Sequence, residues 1–158
     1  MIREEDCTGH VVKAWHFVGN NLRNGQPVPP DGVWLEYDGP LPIIMCERGL
    51  HASEHPIDAI RYAPGTTLCR VEIAGTILHG KDKLVATRRR IVARRDMESD
   101  LRAFARRCAR DVLPLWDAPP VVIEYLETGD ESKRDAAWEK YSGLFAEMVD
   151  EAFATKEA

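Results

Sequence analysis

The hydrophobic pattern changes period once along this chain, near residue 96, and that change restricts the possible folds more than any other feature. Before it, apolar residues fall in short runs at 11–18, 33–37, 43–46, 67–73, 76–79 and 84–92, divided by Gly, Pro and Asn. Runs of that length bounded by turn residues read as strands. After it, Leu101, Phe104, Ala105, Cys108, Val112 and Leu115 recur at helix spacing, and a last amphipathic stretch carries Ala137, Tyr141, Leu144, Met148 and Ala152 on one stripe. Strands followed by helices predict an α+β fold: a mostly antiparallel twisted sheet in the first two-thirds, with two to three C-terminal helices packed on one side. A length of 158 residues predicts a single domain, with a strand-rich part over 1–95 and a helical part over 96–158.

Between two of these strands lies Cys46-Glu47-Arg48-Gly49-Leu50-His51-Ala52-Ser53. It reads as a buried strand over 42–46 that breaks at Gly49 and leads into a short helix over about 54–63. Glycine permits backbone angles that other residues resist, Ser53 is a good helix cap, and Pro56 suits a first turn. Polar side chains at such a junction lie where ligands usually bind. Pro64-Gly65 ends the short helix. Later, Asp117 and Pro119-Pro120 open a helix that Gly129 closes.

Charge is segregated. Residues 1–80 hold 6 basic and 10 acidic side chains, residues 81–110 hold 11 and 4, and residues 111–158 hold 4 and 12, for a net charge of -5. The basic segment contains Arg88-Arg89-Arg90, Arg94-Arg95, Arg102, Arg106, Arg107 and Arg110. Arginine suits bidentate contact with phosphate. On a strand, Arg88 and Arg90 share one face and Arg89 takes the other. The segment equally suits pairing with the acidic tail, and nucleic acid is the weaker reading because no row of aromatics interleaves the basic residues. No apolar run reaches membrane-spanning length and the charged N-terminus lacks a secretory pattern, so a cytoplasmic protein in a bacterial host, with no membrane partner, is expected. Four scattered cysteines suit a reducing compartment. Cys46, His51, His55 and Cys69 match no established zinc spacing, so no metal is expected. Phosphate loops of the Gly-x-x-x-x-Gly-Lys type, dinucleotide glycine fingerprints and Gly-x-Ser-x-Gly elbows are absent from the sequence. The Lys81-Asp82-Lys83 turn reads as a solvated hairpin, and Trp116 and Trp138 as core or inter-helix packing.

Three segments in order resemble the ADP-ribosyltransferase fold, in its poly-ADP-ribose polymerase-like branch. Ala14-Trp15-His16-Phe17-Val18-Gly19 is similar to its first nicotinamide-pocket strand. Glu47-Arg48-Gly49-Leu50-His51-Ala52-Ser53 is similar to its second motif, with His51 in place of a tyrosine. Ala59-Ile60-Arg61-Tyr62-Ala63, and then residues 64–75, parallel the helix and strand that follow. The resemblance covers about residues 13–92. It implies NAD or an ADP-ribose-like nucleotide as substrate or ligand, with His16 and His51 in catalytic places and Trp15, Arg48, Ser53, Arg88 and Arg90 around the ligand. The glutamate that active members carry on a late strand is missing from residues 84–92, and Glu36 and Glu72 lie on other strands. Relatives acting on RNA 2′-phosphate use histidines and arginines there, which His16, His51 and the arginines at 88–90 would suit. Loss of the glutamate equally suits binding without turnover, so the chain is left open between transferring ADP-ribose and sequestering the nucleotide.

The residues read without the resemblance keep His16 as a hydrogen-bonded core histidine, His51 as a filler of the strand end and Ser53 as a cap. Across most of its length the chain also resembles a group of uncharacterised phage and prophage proteins that share the Cys-Glu-x-Gly-Leu-His-Ala-Ser core, Asp82-Lys83-Leu84-Val85, and the segments 115–119 and 125–132. That group implies a second class of function, a non-enzymatic inhibitor or adaptor acting on a host or defence protein. A nucleic-acid-associated accessory protein is a third.

Overall fold

A computed structural model describes residues 3–154. The fold is α+β. Five strands form one antiparallel sheet: β1 (Arg3–Val18), β2 (Trp34–Glu36), β3 (Leu50–Ala52), β4 (Thr67–His79) and β5 (Leu84–Asp96), in the order β1-β4-β5-β2, with β3 also on β5. A one-turn helix α1 (Pro56–Ile60) links β3 to β4. Then come α2 (Glu98–Asp111), a 3-10 turn (Leu113–Leu115), α3 (Pro120–Thr128) and α4 (Glu131–Ala154). The chain divides into two compact units, Met1–Glu98 and Ser99–Ala158, close to where the sequence period changes. Among the described residues, no helix is long and apolar enough to cross a membrane.

The long β1, β4 and β5 carry the sheet. Val71, Ile73 and Ile77 of β4 are fully buried, with Leu84, Val85 and Ala86 of β5 beside them. A buried aliphatic side chain of this size contributes roughly 1.5–3 kcal/mol over exposure. Short β2 and β3 lie end to end along the other edge of β5, at Arg88–Arg90 and Leu84–Ala86. Immediately after β3, Ser53 exchanges two main-chain hydrogen bonds with Trp15 of β1, at 2.7 and 2.8 Å. β3 therefore joins β5 on one side and reaches β1 on the other, so the sheet curls back on itself.

Several expectations change. Residues 42–46 form no strand. Pro40 and Pro42 supply no amide donors, and the segment turns through an Ile44–Arg48 bridge with only Ile43 deeply buried. The strand lies later, at Leu50–Ala52. Residues 67–79 make one continuous strand, because the Gly75 break is a bulge that shifts register between Ala74 and Ile77. Ser53 caps nothing: its main chain is committed to Trp15, and His55 precedes α1 without a side-chain cap. Pro119, not Asp117, stands before α3. Trp116 and Trp138 are exposed rather than packed.

Candidate functional site

Where the curled edge brings β3 to β1, a cavity of about 910 Å³ opens, bounded by β1, β3, Arg89 of β5, and the loops around residues 21–26 and 46–49. Trp15, His16, Arg48, His51 and Ser53 all line it, so five of the seven residues expected at a site are gathered in one place. Arg88 and Arg90 are not. They flank the Trp34 ring at 4.8 and 4.7 Å and pair with Glu36 at 2.7 Å and Glu72 at 2.6 Å. The strand's pleat sends them to the opposite face from Arg89.

Arg89 is the central feature. It pairs across the sheet with buried Ile73 and is only 7% exposed. One guanidinium nitrogen donates to the main-chain oxygen of His51. No carboxylate pairs with it among the described residues. Burial pushes its pKa down to about 10, so it stays charged at neutral pH. A buried cation without a counter-ion is costly to hold, since desolvation goes unrepaid by Coulomb attraction.

His16 sits beside it. Burial, then the charges of Arg89 and His51, hold its pKa well below the ordinary 6.5, so the ring is neutral. His51 is pinned more tightly. The Cys46 amide donates to its Nε2 at 3.0 Å, so that atom must accept; Nδ1 therefore carries the proton and donates to the Gly49 oxygen at 3.1 Å. Burial lowers its pKa, against the Gly49 bond and with help from Lys83, Arg89 and Arg23. The clasp holds a strained loop. Cys46 has φ 65, a left-handed conformation that costs a non-glycine residue about 1–2 kcal/mol. Gly49 has φ 121, with the Val85 side chain where a β-carbon would project.

The remaining lining is mixed in sign. Arg23, Arg48 and Lys83 add positive charge, and Asp38 and Glu47 add negative, while the Glu36 carboxylate is spent on Arg88. Arg48 Nε is buried without a hydrogen bond, its nearest carboxylate being Glu47 at 3.9 Å. Lys83 lies 3.7 Å over the Tyr62 ring, and the Tyr62 hydroxyl donates to Asp82 at 2.7 Å, holding that carboxyl below its ordinary range. The turn expected to be merely solvated thus supplies one wall. Trp15 stacks its ring on Arg70 at 5.0 Å, leaving His16, the next residue on the pleat, beside Arg89. Ser53, 2% exposed, is part of the wall.

In the sequence, Arg89 stands out only within the run 88–90, Lys83 only within a turn read as a solvated hairpin and Tyr62 only within the short helix, none of them by itself as a ligand contact. The signal for Arg89 is its place two residues before apolar Ile91, which fixes its face. Among the described residues no three His, Cys, Asp or Glu side chains gather to hold a metal ion. Cys69 is buried in the core and Cys46 is exposed.

Residues 12–103 match a family described as a domain of unknown function, DUF7666. The chain belongs to that family. The match takes in β4, β5 and every residue of the cavity described above. No curated protein and no solved structure matches the chain.

Proposed function

We propose that the cavity binds an anionic nucleotide of the NAD or ADP-ribose kind, with a phosphate group on Arg89. The observation that carries this reading is the buried guanidinium that lacks a carboxylate. Bound phosphate supplies the missing counter-charge, and a planar fork of donors suits its oxygens. Arg48, Lys83 and Arg23 surround the same space, and neutral His16 is able to hydrogen-bond a ribose hydroxyl. A volume of about 910 Å³ accommodates a dinucleotide-sized ligand. The resemblance of residues 14–19, 47–53 and 59–75 to ADP-ribosyltransferase motifs points the same way.

Holding the nucleotide fits the chemistry better than transferring it. Both His51 ring nitrogens are occupied by the loop they brace, and the Glu36 carboxylate is committed to Arg88. A transferase needs a free group to stabilise an oxocarbenium-like transition state. In a phage-borne protein, such retention would withhold a nucleotide signal from a host defence system in the bacterial cytoplasm. The unbridged Cys46, Cys69 and Cys108 suit that compartment.

Calorimetry with NAD and with ADP-ribose tests the reading. Saturable binding that is lost in Arg89→Gln and kept in Arg88→Gln supports it; absence of binding by both ligands to the intact protein overturns it. Nicotinamide release from NAD over time would replace retention by transfer.

A further inference from the structure

The helical unit contains a second, open cavity of about 680 Å³, bordered by α2, the 3-10 turn and the end of α3. Arg106, Arg107 and Arg110 of α2 line it, together with Asp111 at the end of the same helix and Glu127 of α3. Ion pairs are plentiful elsewhere in this unit: Arg102 reaches Glu131 at 3.5 Å, Lys133 reaches Glu124 at 3.1 Å, and Arg134 meets both Glu131 and Asp135. Among the described residues, none of the three cavity arginines has a carboxylate at ion-pair distance, although two acids share the cavity with them. Like charges three and four residues apart on a helix repel. Arg106 and Arg107 both stand in that relation to Arg110.

One of the three is seated. Gly129 ends α3 at φ 72, and the Arg106 guanidinium lies so close that a β-carbon there would meet its Cζ at 2.7 Å and its Nη2 at 2.8 Å. Glycine at this position thus serves the left-handed cap and also leaves room for the guanidinium to rest on the main chain.

We propose that this cavity is a binding site for a small phosphorylated molecule that carries hydroxyl groups, of the sugar-phosphate class. The three guanidiniums take the phosphate and relieve their mutual repulsion. Asp111 and Glu127 accept hydrogen bonds from hydroxyls. The same two carboxylates repel a nucleic-acid backbone, whose successive phosphates would pass them. The site shares no lining residue with the cavity in the sheet unit.

The test is an amide-resolved NMR titration of the full chain with ribose 5-phosphate, with inorganic phosphate and unphosphorylated ribose in parallel. Ribose 5-phosphate should bind more tightly than inorganic phosphate, with shifts centred on residues 103–129, and ribose alone should not bind. Arg106→Gln with Arg110→Gln should weaken binding about tenfold or more. Glu127→Gln should weaken ribose 5-phosphate but not inorganic phosphate, a split that loss of folding would not produce. Arg89→Gln should leave all of this unchanged, which separates this site from the nucleotide reading of the first cavity. An absence of saturable shifts in residues 103–129 at about 10 mM ligand overturns the proposal. Tighter binding of a single-stranded oligonucleotide, lost in the same arginine variants, also overturns it.

Discussion

Arg88 and Arg89 are adjacent in the chain and chemically identical, yet the two faces of β5 treat them in opposite ways. On the outer face, Arg88 and Arg90 sandwich Trp34 and each has a glutamate. Charge there is balanced locally, and the side chains are partly solvated. On the inner face, Arg89 is buried, bonded to a main-chain oxygen, and without an acid among the described residues. The outer arrangement is what a sheet surface needs for solubility and modest stability. The inner one is energetically unfavourable for an empty fold, and that cost is the ground for the anion site proposed above. The contrast teaches that a count of arginines says little about anion binding; what matters is which arginine the fold has left unpaired.

Four experiments press on that contrast. Arg89→Gln should have the largest effect, lowering nucleotide affinity on the order of 100-fold, while Arg89→Met leaves the melting temperature of the ligand-free protein unchanged or higher, because a buried unpaired charge has been removed. A fall in stability of several kcal/mol in both variants, with no effect on binding, would erase the distinction between the faces. Next in size is the pH dependence of stability. His16 and His51 both have folded pKa values below 6.5, so the unfolded chain binds more protons than the native one as pH drops below that value. Stability should be flat with respect to these groups above pH 6.5 and should decline below it, by up to about 1.4 kcal/mol per pH unit for each histidine. Denaturant unfolding from pH 8 to 5, with His16→Asn and His51→Asn flattening the decline, checks the sign. Glu72→Gln should cost about 1 kcal/mol, since Glu72 is the more buried partner of Arg90, with binding unaffected. Arg88→Gln should have the smallest effect, below about 1 kcal/mol by thermal unfolding and within about threefold in affinity, because its pair with Glu36 is largely exposed.

Most of the architecture was legible from period alone. The switch near residue 96 marks the boundary between strand and helix, and the long strands β4 and β5 show as short stretches rich in apolar residues, although the sequence reads β4 as broken at Gly75. Residues 42–46 misled because an apolar run looks like a strand whether or not its prolines leave amides for a ladder. Ser53 misled because a serine before a helical stretch has the same local signature when its main chain is spent on a distant strand, and nothing near it in the chain announces Trp15. At the candidate site, His16, Arg48 and His51 are named through the resemblance to ADP-ribosyltransferase motifs, while residue pattern alone leaves His16 in the core and His51 at a strand end. Their convergence depends on the curl of the sheet, which is a long-range property. The choice of Arg88 and Arg90 over Arg89 had a simpler origin. Alternation says that the faces differ; the cue to the inner face is Ile91, two residues on, and the pairing with buried Ile73 agrees with it.

The seam between Ser53 and Trp15 is made wholly of amide and carbonyl groups. No exchange of side chain deletes it, except proline, which would take away a donor. The closure of the sheet at this point is therefore insensitive to which side chains stand at positions 15 and 53, whereas the neighbouring loop depends on the His51 ring and on Gly49.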